Sequence, residues 1–189
     1  MLRWEADLNC TISVESWSNM IDNLRKSTCA AAYRESPLKL LTRWYMTPSK
    51  IHSFYPTSPS GCFRGCPEEG DFLHIFWSCK HLDQVWSPMV TRLESVLKKR
   101  ITLSPQICLL FDTVPDIPLP CNGLIHSLIS SIHWMIAFNW RSQNLPWSQV
   151  ESRMEMIRLS ERIHYTLFDR MQKFNEKWSY WSTPSIHPR

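Results

Sequence analysis

Residues 62–79 read CFRGCPEEGDFLHIFWSC, and their ligand-type side chains fall at C-x3-C-x7-H-x4-C. Cys62, Cys66, His74 and Cys79 supply three thiolates and an imidazole, a complete tetrahedral set for zinc. Gly65 and Pro67 flank Cys66, which lets the first two thiolates fold back on one ion. The H-x4-C interval suits one helical turn, with His74 and Cys79 on neighbouring sides of it. Four protein ligands leave no open position, so such a site is structural, and binding couples to folding of the loop. The competing interpretation, ordinary buried cysteines and a core histidine, is outweighed by four ligands in order within 18 residues. Zinc with three thiolates and a neutral imidazole carries −1, which Arg64 or Lys80 could offset.

The aromatics Phe63, Phe72, Phe76 and Trp77 interleave with these ligands. Small zinc modules that hold single strands stack bases on such rings. Packing against the neighbouring helices is the favoured role for Phe72, Phe76 and Trp77. For Phe63, beside Arg64, the two roles stand even.

Outward from this segment the periodicity is helical. Residues 13–28 carry Val14, Trp17, Ile21 and Leu24 at spacings of 3, 4 and 3, with Ser13 as N-cap. Ser36-Pro37 reads as N-cap and N1 of a helix that turns Leu38, Leu41 and Trp44 inward and ends before Pro48. Residues 48–61, with three prolines and four serines, are expected to be a loop. From Leu82 the set Val85, Trp86, Met89, Leu93 and Val96 predicts a helix to about Arg100, kinked or restarted at Ser87-Pro88. Ser104-Pro105 opens a short apolar piece through Phe111. Residues 112–120 (DTVPDIPLP) read as a linker or surface loop.

Residues 124–140 are strongly apolar, but polar side chains interrupt them and the run is short for a membrane span, so a buried core helix is expected. His126 and His133 lie on one face of it as satisfied core residues. Ser148 and Glu151 fit a capping box, opening a long helix to about Trp178. Its expected inward stripe is Met156, Leu159, Ile163, Leu167, Met171, Phe174 and Trp178. The fold class is mostly α: a helical domain with a Cys3His zinc-pinned loop and no substantial sheet. Its organisation is N-terminal helices and a Pro/Ser loop (1–61), the zinc segment and following helices (62–111), a linker (112–120), a C-terminal helical pair (121–181) and a tail (182–189).

Composition narrows the function classes. Of 189 residues 43% are hydrophobic and 10 are Trp, which is incompatible with a disordered chain. Four glycines, at 61, 65, 70 and 123, allow no Gly-rich phosphate loop. The net charge of +4 is spread evenly along the chain, so it leaves no strong nucleic-acid footprint by itself. Glu5 and Asp7 occupy the place of a secretory h-region. With seven cysteines, an odd number, that argues against a disulfide framework and for an intracellular location, nuclear or cytoplasmic and not secreted.

The blocks LLTRWYMTP at 40–48, CFRGCPEEGDFLHIFWSC at 62–79 and LDQVW at 82–86, with WEADL at 4–8, carry a resemblance. The chain resembles the extreme C-terminal region of the reverse-transcriptase polyprotein of vertebrate non-LTR retrotransposons of the long-interspersed-element type. Phe63 stands where that family usually has Trp. The resemblance implies that Cys62, Cys66, His74 and Cys79 are zinc ligands. It also implies that the region binds RNA with little sequence preference, supports target-primed reverse transcription and holds no polymerase or endonuclease chemistry.

The leading functional expectation is therefore a non-catalytic, zinc-stabilised module that binds RNA or single-stranded nucleic acid. Its expected contacts are Phe63, Arg64 and Lys80, with Lys98, Lys99 and Arg100 on phosphates. The alternative is a protein–protein packing or scaffolding domain, for instance against a reverse-transcriptase domain, because Trp is enriched at interfaces. A metal-assisted hydrolase using His81 or His52 is disfavoured by the closed ligand set. No membrane association is expected.

Overall fold

The computed structural model describes residues 1–181; the expected tail, 182–189, lies outside the described residues. The fold is helical. In chain order come α1 (Leu2–Leu8), α2 (Val14–Lys26), α3 (Glu35–Leu41), α4 (Pro48–Phe54), α5 (Asp83–Leu97), α6 (Pro105–Leu110), α7 (Leu119–Phe138), α8 (Trp147–Leu167) and α9 (Met171–Trp178). Among the described residues, β pairing is limited to one antiparallel bridge, between Gly61 and Glu69.

Helix α7 is the axis of the fold, packing against α2, α3, α5, α8 and α9. Leu124, Ile125, Leu128, Ile129, Ile132, Met135 and Ile136 are all buried, and so are Ser127, Ser130 and Ser131. A helix buried all round must satisfy its own polar side chains. The serine hydroxyls donate to carbonyls four residues back: Ser127 to Gly123 (3.1 Å), Ser130 to His126 (2.9 Å) and Ser131 to Ser127 (3.0 Å). No helix among the described residues is long and apolar enough to cross a membrane. One core runs from Trp4 to Trp181, with residues from both sides of 112–120 in it.

Several expected elements come out differently. Thr47 caps a helix over Pro48–Phe54, its Oγ1 accepting from the Lys50 N–H at 3.4 Å. A Thr-Pro start thus outweighs the proline and serine content that reads as loop. Helix α3 begins at Glu35, fed directly by the 3-10 turn Ala31–Arg34. Ser36 therefore lies inside it, Leu40 and Leu41 take the core positions, and Leu38 and Trp44 are exposed. Val14 is exposed as well, and α2 buries Met20 and Leu24. Pro88 sits within α5, which runs through it without restarting.

The largest departures are in the C-terminal pair. Pro146 is the N-cap of α8, which starts one residue before Ser148, so no capping box forms. The expected single helix is broken after Leu167, with Asp169 in the left-handed region (φ 51°) and the Arg170 N–H closing on the Tyr165 carbonyl. The break folds α9 back on α8. Lys177 Nζ then reaches both Glu161 oxygens (2.8 and 3.0 Å) and the Ser27 carbonyl (2.7 Å), and Trp178 Nε1 donates to Glu161 (2.7 Å). Glu161 is the last residue of the buried face of α8, after Val150, Met154 and Ile157. The expected stripe of Met156, Leu159, Ile163 and Leu167 points outward instead.

The loop that carries the Cys/His cluster is docked on the N-terminal helices. Arg43 lies between Trp4 (4.7 Å to the ring centre) and Phe72 (4.4 Å) and pairs with Asp7 at 2.7 Å. Gly70 abuts the start of α4: its carbonyl accepts from the Ser49 N–H at 3.2 Å, and a Cβ there would lie 2.5 Å from Pro48 Cγ. Gly70→Ala is expected to cost about 1–3 kcal/mol, as overpacking does. Gly61→Ala, with nothing within 4 Å of its Cβ position, is expected to stay within about 0.5 kcal/mol. Urea denaturation of both variants checks this; equal losses would remove the contact as the cause.

Candidate metal centre

Two short structures bring the four ligands together. The first is the knuckle 62–66. Gly65 N–H donates to the Cys62 carbonyl (3.0 Å), and Gly65 has φ 79°, where a side chain is strained. The Arg64 N–H points back at Cys62 Sγ, 3.4 Å away. The Cys62 N–H is held by the Glu68 carbonyl at 3.0 Å, which closes the base of the loop.

The second is a π-turn, His74–Ser78. The Cys79 N–H donates to the His74 carbonyl at 2.9 Å, an i→i+5 bond that brings the two ligands together. The α-helical turn expected there is therefore a wider one. Asp71 starts it, its Oδ1 accepting from the His74 N–H at 2.6 Å. Ile75 and Phe76 are fully buried and anchor the turn, Phe76 against Tyr45 (5.3 Å between ring centres) and Trp140 (5.7 Å).

The result is a buried group in which the ligand atoms of Cys62, Cys66, His74 and Cys79 all lie within 4.8 Å of one another. Cys66 and Cys79 Sγ are 3.5 Å apart, far beyond a disulfide bond. A tetrahedral ion with bonds of ~2.3 Å to sulfur would set neighbouring sulfurs ~3.8 Å apart. Among the described residues His74 Nε2 is buried without a hydrogen-bond partner, an orphan that a bound ion would satisfy. Burial holds the His74 imidazole below its usual range, so it stays in the neutral, ligating form. Burial and the adjacent Cys79 and Cys62 thiols push the Cys66 thiol up to about 12, so a cation is needed to keep the sulfurs ionised together. The group could hold a metal ion.

No protein-family model matches the chain.

The side chains expected on nucleic acid are dispersed differently. Arg64 is 1% exposed, which leaves it no surface for the expected nucleic-acid contact. It turns inward, Nη1 donating to the Ile75 carbonyl at 3.1 Å, while Gln143 Nε2 holds its backbone carbonyl at 2.7 Å. Arg64 thus ties the knuckle to the π-turn. Its Nε and Nη2 are buried without hydrogen-bond partners among the described residues. Phe63 is half-buried, near Trp140 (6.3 Å) and with the Arg141 guanidinium 4.9 Å from its ring centre. Lys80, Lys98, Lys99 and Arg100 are exposed. Lys98 is the left-handed C-cap of α5, and Lys99 Nζ donates to the Asp116 carbonyl at 2.6 Å.

Phe72 and Phe76 are buried and Trp77 packs on Trp86 at 5.6 Å. His126 and His133 are core residues, donating to the carbonyls of Asp112 (3.2 Å) and Cys108 (2.6 Å). Asp71, Gln143 and Trp140 support the site without having been singled out in the sequence. Asp71 was legible there, because an Asp three residues before a ligand on a helical turn is a capping signal.

Proposed function

We propose that the chain is a non-catalytic, zinc-stabilised helical module that binds RNA or single-stranded nucleic acid, as the resembled retrotransposon region does. The buried Cys3His group is the observation that carries the reading. Thiolate and imidazole donors favour zinc, and four of them complete its sphere, leaving no position for a catalytic water. Arg64 supports an anionic centre there. A buried guanidinium without a carboxylate is costly, and a divalent ion held by three thiolates and a neutral imidazole supplies the missing negative charge. Phosphate contact falls to Lys80, Lys98, Lys99 and Arg100, with Phe63 as the stacking ring.

Anisotropy of a labelled single-stranded RNA, titrated with salt against zinc-loaded protein, tests this. Binding is expected to weaken with salt, and the triple change Lys80→Ala, Lys98→Ala, Arg100→Ala to flatten the log–log slope by about 2, at ~0.7 per phosphate contact. Folded, zinc-loaded protein that binds no RNA at low salt would overturn the reading in favour of a packing domain, for which the uncovered face of α8 is the supporting observation.

A further inference from the structure

We propose that the outer face of α8 is the contact surface for a second copy of this chain, paired antiparallel about a two-fold axis. Met156, Leu159, Ile163 and Leu167 recur at spacings of 3, 4 and 4 on that face and are 55%, 51%, 64% and 77% exposed. The buried side of the same helix is formed by Val150, Met154, Ile157 and Glu161, so this apolar stripe is not an extension of the core. The four side chains leave roughly 400 Å² of contiguous apolar surface uncovered, as much as a typical monomer shows in its largest patch.

Charge decides the occupant and its direction. Along one edge of the stripe stand Glu151 and Glu155, followed by Arg158 and Arg162. Acidic then basic along one edge is self-complementary only head to tail. A two-fold axis near residue 157 sets Glu151 opposite Arg162 of the second copy and Glu155 opposite Arg158 of the second copy. Parallel two-fold pairing would instead set this edge against the partner's opposite edge and leave that complementarity unused. Glu155 and Arg158 already pair within the chain at 2.8 Å, and Glu155 accepts from Trp181 Nε1 at 3.2 Å. Glu151 and Arg162 have no ion-pair partner among the described residues.

The same register places Met156 against Leu159 of the second copy and Ser152 against its Ile163. Leu167 of the second copy then reaches a groove lined by Trp134, Ser148, Gln149, Ser152, Arg153 and Met156. Phe138, 69% exposed and stacked on Trp134 at 5.2 Å, extends that wall. With groove and charged stems included, each copy approaches the ~600–800 Å² per partner at the low end of specific interfaces.

Sedimentation equilibrium of the full chain over ~1–100 μM tests the pairing, with a micromolar dissociation constant expected for a contact of this size. Leu159→Glu is expected to weaken association at least ~100-fold, since two unpaired charges become buried per dimer. Its helicity and metal content should be unchanged, because Leu159 lies outside this chain's core. Glu151→Lys alone and Arg162→Glu alone should each self-associate more weakly, and an equimolar mixture of the two should recover a heterodimer. Three results would each overturn the proposal: a monomer throughout the range, leaving the face to a different partner; a dimer indifferent to Leu159→Glu; or a mixture no tighter than its components.

Discussion

Cys66→Ser is expected to lower the thermal midpoint by about 8–16 °C and to abolish stoichiometric zinc binding. A metal present at a thousandfold its dissociation constant contributes about 4 kcal/mol to the folded state, and a chain of this size moves about 2–4 °C per kcal/mol. The loss is well short of total unfolding because the ligands are not the only link between the two ligand segments. Arg64 joins the knuckle to the π-turn through the Ile75 carbonyl, and Phe76 anchors that turn on Tyr45 and Trp140. Small zinc modules that unfold outright lack such a core. Chelation of the wild type should reproduce the shift. Cys10→Ser, outside the group and only half-buried, should leave the midpoint within about 2 °C, as changes away from special features do. Calorimetry with metal analysis on the three samples decides it. A Cys66→Ser protein that keeps both its zinc and its midpoint would sink the assignment.

The Cys3His group and the central helix were legible in the sequence for a shared reason: the information is local. The three cysteines and the histidine lie within residues 62–79, and α7 declares itself by a high density of Leu and Ile. What stayed hidden depends on partners remote in sequence. Helix α8 has two faces with helical spacing, Val150, Met154 and Ile157 on one, Met156, Leu159 and Ile163 on the other. Periodicity favours the more apolar, which is the outer one. The choice is made by Glu161, buried because Lys177 and Trp178 fold back onto it from beyond the break at 168–170. An ionisable residue at a core position is a rare arrangement, and no window of the sequence containing Glu161 alone signals it. Arg64 is a second case. An arginine next to a cysteine knuckle reads as a surface cation, and only the position of the π-turn shows that its side chain is drawn inside. Thr47-Pro48 is of a different kind: the capping signal was present and was outweighed by composition.

Acid is expected to destabilise the fold steeply before any carboxylate titrates in its usual range, through the two histidines of α7. Burial is the main cause that holds His126 and His133 down at about 4, against ~6.5 in an unfolded chain. For His126 the nearby Lys177 cation adds to the depression while its bond to the Asp112 carbonyl opposes it. His133 lies edge-on to Phe76 and Phe111, with Nδ1 unpartnered among the described residues, and its bond to the Cys108 carbonyl opposes the shift. The folded state therefore keeps both rings neutral while the unfolded chain takes up protons below pH 6.5. The sign follows: the contribution is fully present above ~6.5 and is lost as pH falls from there to about 4. Each ring accounts for roughly 3 kcal/mol across that window, and the two together give a limiting slope of about 2.7 kcal/mol per pH unit. Urea denaturation at intervals from pH 7.5 to 4.5, in excess zinc, measures it. His133→Gln can keep a donor for the Cys108 carbonyl and cannot protonate, so it should halve the histidine part of the slope. Thiolate protonation at the Cys3His group adds equally to both proteins and cancels in the difference. A His133→Gln variant as acid-sensitive as the wild type would mean that His133 does not carry its share, and the interior would have to be wetter around α7 than its packing against Phe76 and Phe111 allows.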